Sequence, residues 1–291
     1  MQGHPATLLL KDLDMLREKD PRILVFDSGL GGLSVLSALG ETLPQTDYIY
    51  LADNARFPYG DLDDDVLTSG LVTLLAEACK TYAPDLIVIA CNTASTVALG
   101  ALREAFSIPI VGIVPAIKPA AQATQSGHVA VLATPGTIRR AYTQDLIRDF
   151  AEGVKVDLIA CPGLAGLAEA FVVDDKRDDA AVRAVLSPLL DGPAFDSVDV
   201  VVLGCTHYPL LLPVLEDLVV RPLFFIDPAP AVARRVMHLL GQEWQDCLVG
   251  SPNYRETLKS RVRFVATGGG EERLQQGWLR LLHRSDAVRH I

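Results

Sequence analysis

The sequence predicts an α/β fold of two similar, doubly wound domains whose mainly parallel sheets face each other across a cleft. Two observations carry this. First, PDLIVIACNTAS (residues 84–95) and VDVVVLGCTHYP (residues 198–209) say nearly the same thing. In each, an Asp opens an apolar, mostly β-branched run, a Cys stands six residues later, and small or hydroxyl-bearing residues follow. Such continuous apolar runs read as strands buried on both faces of a parallel sheet. Second, the order of strand, glycine turn and helix in residues 23–114 recurs in residues 128–227, with Ala133 as the counterpart of Asp27 and Cys205 of Cys91. Recurrence of that kind predicts two related halves.

Taken in order, residues 1–20 form an extension in which LLLKDLDMLREK is amphipathic enough for about two helical turns. RILVFDSGLGGLSVLSALGETLP predicts a strand over 23–26, a Gly-rich turn and a helix from residue 32. A strand over 47–51, the loop DNARFPYG and a helix over 63–82 come next. The Cys91 strand, a helix through Arg103 and a strand in IPIVGIV (108–114) close the first unit. HVAVLATPGTIRRAY (128–142) restarts the pattern, VKVDLIACPG (154–163) adds a strand, and one helical segment spans 164–190. The Cys205 strand and RPLFFIDPAP (221–230) complete the series. The tail predicts a helix over 231–240, a strand in RVRFVATGG (261–269) and a last helix. RVRFVA needs a sheet to join, so residues 1–114 with 229–291 are expected to form one domain and 115–228 the other.

Composition narrows the function. Hydrophobic residues make up 49% and charged residues 21% of the 291, which predicts a packed core. A net charge of −10 argues against a nucleic-acid partner, though not against a small anion, because a local field can oppose the global one. Five cysteines, an odd number without CxxC pairs, predict neither a disulfide framework nor a structural zinc site. Neither a signal peptide nor a run of about 20 apolar residues is visible, so the expected compartment is the cytoplasm, with no membrane partner.

The chemistry-bearing residues gather at predicted strand ends, where open α/β sheets place ligands. FDSGLGG offers free N–H groups at a helix N-terminus, suited to a carboxylate or phosphate. There Asp27 is either a proton-transfer partner or a simple cap. In DNARFPYG, Tyr59 and Gly60 are candidate donors on a turn shaped by Pro58. Cys91 and Cys205 stand beyond a strand and before a helix, a place that favours thiolate and predicts a pKa falling from roughly 8.5 toward neutrality. Asn92, Thr93, Thr206 and His207 add polar arms, and His207 can act as acid, base or orienting group. Cys79, Cys161 and Cys247 read as structural. Three chemistries fit two such thiols: disulfide exchange, nucleophilic catalysis by one of them, or proton removal and return on opposite faces of one carbon. The first needs thiols of separate halves within bonding distance and the second leaves one Cys unexplained, whereas the last accounts for both copies. No lysine lies in a convincing Schiff-base position and the six histidines are scattered, so neither PLP nor a metal is expected.

FDSGLGGLSV, DNARFPYG, ACNTAS, ATPGTI and LGCTHYPLL, in that order between residues 22 and 240, resemble the glutamate racemases of the cofactor-independent aspartate/glutamate racemase family. The resemblance implies interconversion of L- and D-glutamate for peptidoglycan, with Cys91 taking the proton from the D-enantiomer and Cys205 from the L-enantiomer. It implies that Asp27 assists Cys91 and His207 assists Cys205. Asp27, Ser28, Tyr59, Gly60, Asn92, Thr93, Thr206 and His207 match substrate-binding positions, and Glu169 in LAGLAEA matches a carboxylate near the site. The extension and VPAIKPAA (114–121) resemble the branch activated by a muramyl nucleotide, UDP-N-acetylmuramoyl-L-alanine. A homodimer also stands among the expectations. The competing readings are a racemase of another acidic amino acid and a non-catalytic binding or thiol-sensing protein on the same scaffold.

Overall fold

The computed structural model describes residues 20–192, 196–241 and 254–283. Most of the N-terminal extension, and Cys247, lie outside the described residues. The strands are β1 (Arg22–Asp27), β2 (Asp47–Ala52), β3 (Leu86–Ile89), β4 (Ile110–Gly112), β5 (His128–Ala133), β6 (Lys155–Ala160), β7 (Val200–Leu203), β8 (Phe224–Ile226) and β9 (Val262–Ala266). Two sheets result, ordered β4-β3-β1-β2-β9 and β6-β5-β7-β8, with every pairing parallel. The fold is therefore two parallel-sheet α/β domains.

The duplication is visible residue by residue. β1 lies between β2 and β3, as β5 lies between β6 and β7. Register pairs Phe26 with Ile89 in one sheet and Leu132 with Leu203 in the other. Asp27 and Ala133 thus occupy equivalent places, and so do Cys91 and Cys205. In both sheets the winding reverses between the central strand and the Cys strand, which opens a crevice at their carboxyl ends. β3 and β7 are wholly buried, as their unbroken apolar runs require. β9 pairs with β2 from Tyr48↔Val262 to Ala52↔Ala266, so the tail returns to the first sheet.

Twelve α-helices among the described residues cover the sheets. α1 (Leu33–Thr42) follows the Gly31–Gly32 turn and α2 (Asp64–Tyr82) is capped by Asp63, whose carboxylate accepts from the Asp65 and Val66 amides. α2 buries Leu67, Leu71, Leu75 and Ala78, a stripe at helical spacing. α3 (Asn92–Ala105) starts directly after Cys91. α4 (Ile117–Ala123) forms within VPAIKPAA and beyond it, where no helix was expected. α5 (Pro135–Arg139) is capped by Thr134, and α6 (Ala141–Phe150) follows. The single segment expected over 164–190 is two helices, α7 (Leu164–Asp174) and α8 (Asp179–Leu190). Asp175 breaks it at φ 55°, and Asp178 starts α8 by accepting the Ala181 amide. The polar run DDKRDD has no apolar side chain to hold a helix against the core. α9 (Leu212–Leu218), α10 (Ala229–Leu240), α11 (Tyr254–Arg261) and α12 (Glu271–His283) complete the set. β4 and β8 are shorter than their apolar runs because nearby prolines (Pro109, Pro115, Pro222, Pro228) interrupt the ladders. No described helix is long and apolar enough to cross a membrane.

Candidate active site

Both thiols stand two residues beyond a buried strand and face one small cavity of about 40 Å³. Its lining comes from both sheets: Ser28, Tyr59, Gly60, Cys91, Asn92 and Thr93 on one side, Cys205, Thr206 and His207 on the other. All of these were expected at the site. Asp27 and Glu169 are not in the lining and stand behind it. Phe57, Pro58, Thr134, Thr137 and Ala165 also line the cavity and were not singled out. Thr134 and Thr137 sit in ATPGTI, which repeats the strand–turn–helix of FDSGLGG, so duplication was the signal that placed them. Phe57 had no such signal; its ring lies 5.7 Å from that of His207, tilted by 41°.

On the Cys91 side, Sγ donates to Ser28 Oγ (3.6 Å). Asp27, fully buried at the end of β1, accepts the Gly32 amide on Oδ2 at 2.8 Å. Burial pushes its carboxyl above the usual range, against the pull of His207's charge and the Gly32 and Ser28 amides. Burial and the Asp27 charge likewise push the Cys91 thiol well above the ordinary thiol range. The Ala94 amide and the Ser28 hydroxyl only partly offset this. The expected fall toward neutrality is thus reversed at Cys91, because desolvation outweighs the helix N-terminus.

On the Cys205 side, Sγ lies 3.8 Å from His207 Nδ1, while Nε2 donates to Glu169 Oε1 (3.1 Å). That oxygen also accepts the Leu30 amide at 3.3 Å. Burial works against a charged His207, yet its bonds to Cys205 and Glu169 and their charges lift it well above the ordinary imidazole value. Glu169 is moved the other way: burial would raise it, but His207 and the Leu30 amide hold it below the usual carboxylate range. The ring fills the space a side chain at residue 31 would need, since a Cβ on Gly31 would lie 2.3 Å from Nδ1.

Three atoms at this site are buried without a protein partner: Asp27 Oδ1, and both Oδ1 and Nδ2 of Asn92. Buried polar atoms normally have partners, so the Asn92 amide, which lines the cavity, marks where a polar ligand completes the site, whereas Asp27 Oδ1 lies behind the lining. The two halves also meet at its mouth. A Cβ on Gly136 would stand 2.6 Å from Gly60 O, and Arg140 pairs with Asp64 at 2.8 Å. Cys161, at the end of β6, is pushed up to about 12 by burial, donates to Ile159 O and carries no cavity contact. Among the described residues no cluster of metal-ligating side chains forms.

Two thiols facing one cavity between two parallel-sheet α/β domains, taken with the family and relatives that match, make this an amino-acid racemase, an isomerase. The chain belongs to the Asp/Glu/Hydantoin racemase family, which matches residues 27–236. It is 49% identical to glutamate racemase of Brucella ovis over 219 residues, 75% of this chain and 79% of that one. With glutamate racemase of Shewanella pealeana it shares 40% identity over 265 residues, 91% of this chain and 97% of the relative. Among solved structures, Escherichia coli glutamate racemase in complex with L-glutamate and the activator UDP-MurNAc-ala matches with a TM-score of 0.75 and 37% identity. That match covers 85% of this chain and 99% of that one. A glutamate racemase isoform from Bacillus anthracis matches with a TM-score of 0.73 and 30% identity, over 93% and 97% of the two chains.

Proposed function

We propose that this protein interconverts L- and D-glutamate without a cofactor, by a two-thiol mechanism that supplies D-glutamate for peptidoglycan in the cytoplasm. The observation that carries the reading is the pair of equivalent strand ends presenting Cys91 and Cys205 to one cavity. With the substrate's Cα between them, the Cys205 thiolate removes the α-proton of the L-enantiomer and the Cys91 thiol protonates the opposite face. The C–H bond lost on one face is remade on the other, and the thiols exchange protonation states. From D-glutamate, Cys91 is the base and Cys205 the acid. His207, a positioned cation held by Glu169, stands beside the Cys205 sulfur, and Asp27 stands behind Cys91. A proton α to a carboxylate is weakly acidic; exclusion of water and oriented donors from Asn92, Thr93, Thr206, Ser28 and the Tyr59–Gly60 turn stabilise the developing charge.

The domain division that fits this reading is 1–114 with 229–291, and 115–228. A second cavity of about 260 Å³ lies at the crossing between these units, walled by Val114–Lys118, Phe150, Val232 and Arg235. Together with the activator in the E. coli structure, it supports control by a muramyl nucleotide; a rate unchanged by UDP-N-acetylmuramoyl-L-alanine would end that part of the proposal. Assembly as a homodimer is proposed on the same footing. The main test is incubation with L-glutamate in deuterated water without added cofactor. Deuterium at Cα together with D-glutamate is expected. Exchange with another acidic amino acid alone would reassign the substrate, and no exchange with any would leave a binding or sensing role.

A further inference from the structure

The family match ends at Val236, yet residues beyond it reach the loop that carries Tyr59 and Gly60. Just after β9, the Thr267 amide donates to Ala52 O (2.9 Å) and its hydroxyl donates to Asp53 Oδ1 (2.5 Å). The same hydroxyl oxygen accepts the Ala55 amide at 3.2 Å, and Asn54 Nδ2 donates to Gly269 O at 3.0 Å. Asp53 is 1% exposed. Its second oxygen accepts the Tyr59 hydroxyl and pairs with Arg56 Nε at 2.6 Å. A buried carboxylate in the middle of such a chain holds both ends firmly, since losing either partner leaves charge less compensated. The contacts therefore run from the C-terminal strand through Thr267 and Asp53 to the wall of the thiol cavity.

This arrangement also changes what Tyr59 offers. Its hydroxyl is committed to Asp53, and its ring packs 6.2 Å from that of Phe26. What remains for a ligand is the backbone of the Tyr59–Gly60 turn, and the height of that turn is set from below by Asp53.

We propose that Thr267, acting through Asp53, is a positioning residue for substrate: the C-terminal strand sets the Tyr59–Gly60 turn against Cys91. The inference rests on the racemase reading of the cavity. Its consequence is that a segment outside the family's matched region tunes binding without touching the ligand. A merely structural role would change stability; a positioning role changes KM.

The test measures KM and kcat for glutamate racemisation, with melting temperature in parallel, for wild type, Thr267→Val, Thr267→Ser, Tyr59→Phe and the double variant Tyr59→Phe/Thr267→Val. Losing one bond to a buried carboxylate is expected to raise KM about ten-fold in Thr267→Val, with kcat within about three-fold. Thr267→Ser keeps the hydroxyl and stays within about two-fold of wild type. Tyr59→Phe raises KM similarly, and the double variant is no worse than the worse single one, because both cut one chain. An unchanged KM in Thr267→Val, or multiplicative effects in the double variant, would overturn the proposal. Should Thr267→Val fail to fold, Tyr59→Phe cuts the same chain at its other end, and an unchanged KM there has the same meaning. A wild type that fails to racemise glutamate would overturn the racemase reading itself; an active wild type with an indifferent Thr267→Val overturns only the positioning role.

Discussion

Beyond β3, Cys91 leans on the Ser28 hydroxyl and is backed by Asp27, a carboxyl in full burial; beyond β7, Cys205 leans on His207, which is backed by Glu169, 19% exposed. The backbones that present the two sulfurs are equivalent to the residue, but the backing groups are not. Ala133 stands where Asp27 stands in the other half, and the second carboxylate comes from α7 instead. Equivalent backbones thus set the geometry of both sulfurs, while unlike side chains set the charge around each. One face holds a thiol pushed up by burial and a neighbouring carboxyl. The other holds a raised imidazole against a lowered carboxylate. The proposed two-base reaction needs one acid and one base at any moment, and unlike faces suit that division.

The largest expected effect comes from removing either sulfur. Cys91→Ser and Cys205→Ser should each lower racemisation by roughly 10³-fold, since a hydroxyl is a far poorer base; steady-state rates in both directions measure it. Near-normal turnover in either variant would contradict a role for that sulfur in proton transfer. Because the equilibrium constant between enantiomers is one, kcat/KM must fall equally in both directions, so the side affected cannot be read from that ratio.

Glu169→Gln changes the electrostatics of the Cys205 side. A raised His207 keeps its charge below its shifted pKa and loses it as pH rises through that value. Without the carboxylate the value falls. The alkaline limb of the pH–rate profile should therefore move to lower pH in Glu169→Gln, with kcat down about ten-fold, and move less in Asp27→Asn. Equal movement in both would mean that the two faces are electrostatically one.

A smaller effect separates the strand starts, Asp85 and Asp199. Asp85 accepts the Arg22 amide, whereas Asp199 accepts from the Thr124 hydroxyl and the Gln125 and Ser126 amides. Burial resists, but these bonds hold Asp199 down at about 2. A depressed carboxyl contributes stability above its unfolded pKa of roughly 3.9, lost as pH falls through about 2. Asp199→Asn should lower the melting temperature at pH 7 by a few degrees, on the order of what one or two net hydrogen bonds contribute, and more than Asp85→Asn. The gap should narrow as pH falls through about 2 and close below it, where the carboxyl is protonated in both states.

Much of this was legible in the residues. Two apolar runs ending in Cys specified buried strands, their carboxyl ends and the paired thiols, and repeated order gave equivalent halves. The return of RVRFVA to the first sheet followed from its need for a partner. What stayed hidden depends on packing between distant segments. Asp27 looked like a ligand contact, but the approach of Gly32 and Cys91 places it behind the cavity wall. Thr267 lay in a tail without a recognisable motif, and its reach to Asp53 exists only once β9 sits beside β2. The Cys91 thiol was expected to be acidic from its place before α3; burial, a sum over tertiary neighbours, reversed the direction. The helix break at Asp175 was present in DDKRDD and outweighed by the apolar stretches around it.

In the proposed reaction each thiol serves one face of one carbon. The direct measurement is solvent-deuterium wash-in to each enantiomer of glutamate with the two single variants, read by mass spectrometry after chiral separation. Cys205→Ser should label D-glutamate alone, through Cys91, and Cys91→Ser should label L-glutamate alone, through Cys205, neither forming the opposite enantiomer. Labelling of both enantiomers by either variant, or reversed assignment of the two, would contradict the two-thiol proposal.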